Sequence, residues 1–307
     1  AEVIPTGVCL LIFILYGLAF WNRLSWIDGI GAAFLLLWLC WMALGGKEKR
    51  KLFWAAAGRA VGGISTPAAV IALAGAALLF SGRVTVWWDD LNFWATDVKA
   101  LYGLDGFAAR YTNAAPEFGD YPPGLQLLKW WFVHWDGEGF SEGLMFAGYG
   151  FGVFAFLVPV FGKLKGKNPL VAAAAILCLW AFPSVAEVFY CQGMCADLAM
   201  AAVYGAFLAA VFDEKGHGKF FYRLRLALYL GVLVLIKSVG FLWAAFGLAF
   251  LWIRFWGRVR RGEEKGIRPL LWITAVPLLS GGSWLLFCLV MRRVAKLTGA
   301  AFSMAAG

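Results

Sequence analysis

The chain has 307 residues, 62% of them hydrophobic and 15% charged, and a mean hydropathy of +0.76. Those values lie far from the averages of soluble domains and exclude both an ordinary globular enzyme and a disordered chain. The net charge of +9 invites a nucleic-acid reading, but the bases gather in short clusters between apolar runs rather than along one face, the signature of a polytopic membrane protein.

A membrane span needs about 20 predominantly apolar residues, and nine runs approach that length: 8–22, 27–44, 62–82, 144–162, 169–183, 194–212, 224–236, 239–256 and 269–290. The expected fold is therefore an all-α integral membrane protein of about nine transmembrane helices. Residues 1–52 form an N-terminal hairpin with its basic loop, and residues 53–307 the core. Basic clusters at 47–51, 163–167, 215–225 and 254–268 belong to the cytoplasm by the positive-inside rule. The first apolar run leads straight into a second, so no signal peptide is expected. With no initiator Met and only 17 residues after the last span, the chain is expected to be an excised fragment.

The one long loop, 83–143, falls on the external side. Its first part, Trp87, Trp88, Asp89, Asp90, continues with Leu91, Trp94, Ala95, Val98, Leu101 and Tyr102 at helical spacing, which predicts an interfacial helix closed by Gly103. The apolar stretch 122–135 is too short to span. Letting it cross would turn the 163–167 cluster outward, so it is expected as a second, non-spanning helix, begun by Pro122 and Pro123.

The carboxylates of this loop admit two readings. Asp89 or Asp90 and Asp120 would serve as helix N-caps, each contributing about 1 kcal/mol. Two adjacent acids flanked by tryptophans at a membrane surface fit function better, because an unpaired carboxylate beside low dielectric is costly. On the same face, Glu187 and Asp197 flank the next external turn, with Tyr190 and Gln192 between them. Lys237 interrupts a long apolar stretch; it would either serve a site or only snorkel to the interface, paired with Asp197. Arg292, Arg293 and Lys296 lie outside against the charge rule, which makes them candidates for an anionic headgroup or phosphate. Of the cysteines Cys9, Cys40, Cys178, Cys191, Cys195 and Cys288, most sit in apolar spans as small hydrophobes. Cys191 and Cys195, four apart, would suit packing, a disulfide or a soft metal site.

The order Trp88-Asp89-Asp90-Leu91-Asn92-Phe93-Trp94, Val98-Lys99, then Asp120-Tyr121-Pro122-Pro123-Gly124 resembles the first external loop of GT-C superfamily glycosyltransferases, polytopic enzymes that use polyprenyl-phosphate sugars. Asp197 matches an acid of their second external loop, and Lys237 a lysine between later spans. The resemblance implies sugar transfer from a polyprenyl-phosphate donor to an acceptor hydroxyl at the external face of a bacterial cytoplasmic membrane, in cell-envelope glycan or glycolipid synthesis. Asp89 or Asp90 would act as base, Asp120, Tyr121, Tyr190, Lys237, Arg292 and Arg293 would bind substrate, and Asp89, Asp90 and Asp197 would hold Mg²⁺ or Mn²⁺. The chain departs from the family in placing the acid loop after the third span rather than the first and in lacking further spans. The competing expectation is a transporter or flippase of a lipid-linked or ionic substrate, which needs acids at mid-bilayer and repeat symmetry; no repeat is visible. A scaffold subunit would leave Asp89, Asp90 and Asp197 far apart.

Overall fold

A computed structural model of the chain describes residues 2–61, 64–108, 119–164, 168–185, 193–214, 218–263 and 266–293. Among them regular structure is helical throughout, as lipid requires of open segments, because a helix satisfies its own backbone N–H and C=O groups. In chain order come α1 (Val3–Ala19), α2 (Trp26–Leu44), α3 (Lys47–Val61), α4 (Ser65–Ser81), a π-helical turn (Asp90–Trp94), α5 (Thr96–Leu104), α6 (Gly124–Val133) and α7 (Glu142–Leu157). Then follow α8 (Pro159–Gly162), α9 (Pro169–Val185), α10 (Ala196–Phe212), α11 (Lys219–Val234), α12 (Gly240–Arg260) and α13 (Arg268–Val290). Each of the nine apolar runs carries a helix. Four of the helical stretches, α2, the α7–α8 stretch, α12 and α13, are long and apolar enough to cross a membrane.

The core is built around α7, whose glycines admit helices from two sides. A Cβ on Gly150 would lie 2.6 Å from the Phe80 ring of α4, and one on Gly148 would lie 3.0 Å from the backbone of Lys129 in α6. On α4, Ala68, Ala72 and Ala76 repeat at four-residue spacing and are buried, so that backbones approach closely, the usual solution where van der Waals packing replaces the hydrophobic effect. Across the bundle α11 packs on α13, α10 and α1.

The N-terminal hairpin is uneven. Val8, Ile12, Leu15 and Ala19 put one face of α1 into the common core, whereas α2 is apolar all round and only 6% of its span is buried. Such a helix has the composition of a membrane span. The basic loop is itself the first turn of α3, which continues through residues 52 and 53.

Two local expectations are corrected. α5 does not end at Gly103; it runs to Leu104 and stops at Asp105, in the left-handed region at φ 54°. The Asp105 carboxylate there accepts hydrogen bonds from the Ser25 backbone N–H and hydroxyl, which fixes the α1–α2 turn. α6, expected to lie on the membrane surface, is enclosed by protein along most of its length, with Trp131 and Phe132 partly exposed. Leu125, Leu127, Leu128 and Trp130 are buried, and so are Gln126 and Lys129, both 0% exposed. Its ten residues reach about 15 Å, half of a bilayer core. Its apolar character comes from the protein packed around it.

Candidate functional site

The segment joining α4 to α7 is closed at its base. Thr85 donates from its backbone N–H (2.9 Å) and its hydroxyl (2.5 Å) to Glu142, which also receives Lys99 at 3.4 Å. Past Trp87 and Trp88 the chain winds into the π-helical turn, marked by the Ala95 N–H donating to the Asp90 carbonyl. Single π-turns of this kind are frequent at functional sites.

Successive residues on such a turn point in different directions, and this separates the two acids. Asp89 is exposed, and Asp90 is 1% exposed. Asp90 Oδ1 accepts from the Met194 N–H at 3.0 Å, while Oδ2 is buried with no hydrogen-bond partner among the described residues. A Cβ on Gly193 would sit 2.9 Å from that oxygen, so only glycine lets the second loop approach. Burial raises the Asp90 pKa, opposed by the Met194 N–H and the Lys129 charge. The capping reading fails for both loops. Asp89 makes no side-chain cap bond, and the cap position of α6 is Pro123 rather than Asp120.

Tyr121 stacks on Trp94, with ring centroids 5.3 Å apart and planes 14° apart, and meets Phe93 edge-on. Just beyond it, the Gly124 N–H donates to the Leu235 carbonyl at 2.6 Å. That contact docks the aromatic turn on the α11–α12 connection, which carries Lys237. The Lys237 ammonium donates to both Asp197 oxygens, at 2.9 and 3.0 Å, the pair expected from the sequence. Burial works against its charge, but Asp197 outweighs this and the Lys237 pKa is raised. Cys195 Sγ donates to Asp197 as well, and the Tyr149 hydroxyl holds the Cys195 carbonyl. Burial raises the Tyr121 pKa, Lys237 opposes this, and Asp120, Asp89 and Asp197 add to it. Lys237, Asp120, Asp89 and Asp197 thus all act electrostatically on Tyr121. A cavity of about 100 Å³ opens beside them, lined by Trp87, Trp88, Asp89, Asp90, Gly193 and Cys195 among others.

The remaining expectations fare differently. Arg293 is buried, its guanidinium 5.2 Å from the Trp284 ring centroid. Its charge faces Asp97 and Asp120, so it serves the interior rather than a surface headgroup. Arg292 is exposed, in the left-handed region at φ 50°. Tyr190, with Glu187, Cys191, Gln192 and Lys296, lies outside the described residues. Among the described residues no three His, Cys, Asp or Glu side chains gather as a metal-binding set. Asp197 has both oxygens on Lys237 and Asp90 has one on Met194, an ion pair and an anchored acid rather than the oxygen cluster a hard divalent cation needs.

Two buried residues of α6, Gln126 and Lys129, went unremarked in the sequence, and Asp97 of α5 is half-buried. Lys129 Nζ donates to the Trp94 carbonyl at 2.8 Å. Burial lowers its pKa to about 8, against the pull of Asp90 and Asp97. Asp97 is raised to about 6 by burial, opposed by Arg293 and Lys129. Gln126 has neither amide atom hydrogen-bonded among the described residues. Gln126 and Lys129 at i and i+3 were the legible signal, two polar residues on one face of an apolar stretch.

Comparison of the chain with known protein families, curated sequences and solved structures returns no match.

Proposed function

We propose that the chain is a polytopic membrane glycosyltransferase of the GT-C type, moving a sugar from a polyprenyl-phosphate donor to an acceptor hydroxyl. The observation that carries this reading is a cavity lined by the exposed acid Asp89 and by Cys195, whose thiol is bonded to the Asp197–Lys237 pair. In this reading all nine apolar helices span. The four basic clusters are cytoplasmic and the site faces outward from a bacterial cytoplasmic membrane.

Asp89 takes the proton of the acceptor hydroxyl as its oxygen attacks the anomeric carbon. The bond from that carbon to the lipid phosphate breaks, and its electron pair leaves with the phosphate. Lys237 has three N–H donors and commits two to Asp197; the third is available to the leaving phosphate, where charge develops. With Asp197 and Asp90 engaged as described, no step is assigned to a metal. Trp87, Trp88 and Trp94 supply flat apolar walls, and the lipid chain runs among the apolar helices.

The test is release of free polyprenyl phosphate by the purified chain in nanodiscs, offered polyprenyl-phosphate hexoses and pentoses with hydroxyl acceptors. Release that requires both donor and acceptor supports the reading. No release from any donor overturns it.

A further inference from the structure

Lys129 is a long, flexible cation on a short helix and would ordinarily extend to water. Instead it is fully buried, packed so closely on α7 that Gly148 has no room for a Cβ beside its backbone. Its ammonium donates to the Trp94 carbonyl at 2.8 Å, the last carbonyl of the π-helical turn, and lies 5.9 Å from the centroid of the Trp94 ring. The charges facing it come from both ends of that turn, Asp90 at its start and Asp97 after it in α5. Asp97 in turn faces Arg293, and Arg293 faces Asp120. Acid and base therefore act on one another in the order Asp90, Lys129, Asp97, Arg293, Asp120, and Lys129, like Asp90, is also bonded to a backbone group.

We propose that Lys129 is a positioning residue for the acid pair: it clamps the far end of the π-helical turn through the Trp94 carbonyl, as the Met194 N–H clamps the near end through Asp90, and so fixes the direction in which Asp89 projects. Without the clamp the turn has no reason to keep its wide winding. The Ala95 N–H would lose its five-residue hydrogen bond to Asp90 for much of the time, the turn would loosen, and Asp89 would no longer be held in one direction. The clamp is a matter of structure; its catalytic consequence rests on the proposed role of Asp89.

The test is hydrogen exchange of residues 90–99 in the full chain in nanodiscs, comparing wild type, Lys129→Met, which keeps length but loses charge and donor, and Lys129→Arg, which keeps both. Exchange at Ala95 and Lys99 should rise at least tenfold in Lys129→Met and stay near wild type in Lys129→Arg. Sugar transfer by Lys129→Met should fall at least tenfold in kcat, with donor KM changed less than threefold. Unchanged exchange in Lys129→Met overturns the clamp, and so does equal loosening in both variants, which would trace the effect to packing. If Lys129→Met does not accumulate folded, Lys129→Gln is read by the same criterion. The exchange measurement needs no activity, so a wild type that transfers no sugar sinks the proposed function and leaves the clamp to be decided independently.

Discussion

The contact between Gly124 and Leu235 joins the aromatic turn to the lysine-bearing connection, and Gly124→Ala tests it with one methyl group. The new Cβ would lie 2.8 Å from the Leu235 carbonyl oxygen and 3.0 Å from its Cβ. The oxygen is backbone held by the end of α11 and cannot swing aside as a side chain would. Overpacking of this kind costs about 1–3 kcal/mol. Separating the two segments also loses the 2.6 Å hydrogen bond, about 1 kcal/mol, against a gain of up to about 1 kcal/mol for alanine over glycine in a helix. The net expectation is a loss of about 2 kcal/mol, roughly a 30-fold shift in the folding equilibrium. Equilibrium unfolding in mixed micelles, followed by tryptophan fluorescence, reads this directly. Gly103→Ala is the control, because that glycine lies in α5 with nothing within 4 Å of its added Cβ; it should match or slightly exceed wild type. If Gly124→Ala lies within about 0.5 kcal/mol of wild type, the docking contact is not what joins these segments.

Three further outcomes are expected. Lys237→Met leaves Asp197 without its cation and should cost about 1–2 kcal/mol for a half-buried pair; adding Asp197→Asn should recover most of the stability and none of the transfer, and a double variant as unstable as the single refutes the pairing. Asp97 is held near pH 6, above the about 4 of an unfolded aspartate, so its ionisation subtracts stability as pH rises from about 4 to about 6. The stability of Asp97→Asn relative to wild type should therefore climb by about 1–3 kcal/mol across that window, and a flat or falling difference would contradict it. Gln126→Met replaces a buried amide that has no hydrogen bond among the described residues and should stabilise by about 1 kcal/mol; destabilisation would mean that an ordered water in the adjoining cavity of about 20 Å³ satisfies the amide.

The helices were legible because lipid leaves so little choice: each apolar run between basic clusters became a helix, and the 83–143 loop begins and ends where α4 and α7 do. Asp89, Asp120, Tyr121, Asp197 and Lys237 were singled out by order and sidedness, and the structure pairs Lys237 with Asp197. The difference between Asp89 and Asp90 was not foreseen, because it depends on a π-helical turn whose single extra residue leaves no mark in hydrophobic periodicity. The burial of α6 escaped for a related reason. Leu125, Leu127, Leu128 and Trp130 read alike whether their surroundings are lipid or protein, and the partners of Lys129 come from a helix and a turn some thirty residues earlier. Arg293 looked like a surface base because the acids it faces, Asp97 and Asp120, are distant in sequence.

The central claim is that Asp89, the exposed acid of the pair, takes the acceptor proton while buried Asp90 holds the turn to the second loop. Sugar transfer measured side by side for wild type, Asp89→Asn and Asp90→Asn tests it most directly. Asp89→Asn should lose about 10²–10⁴ in kcat with unfolding unchanged, and Asp90→Asn should lose less activity but measurable stability. Transfer by Asp89→Asn at the wild-type rate would contradict the account.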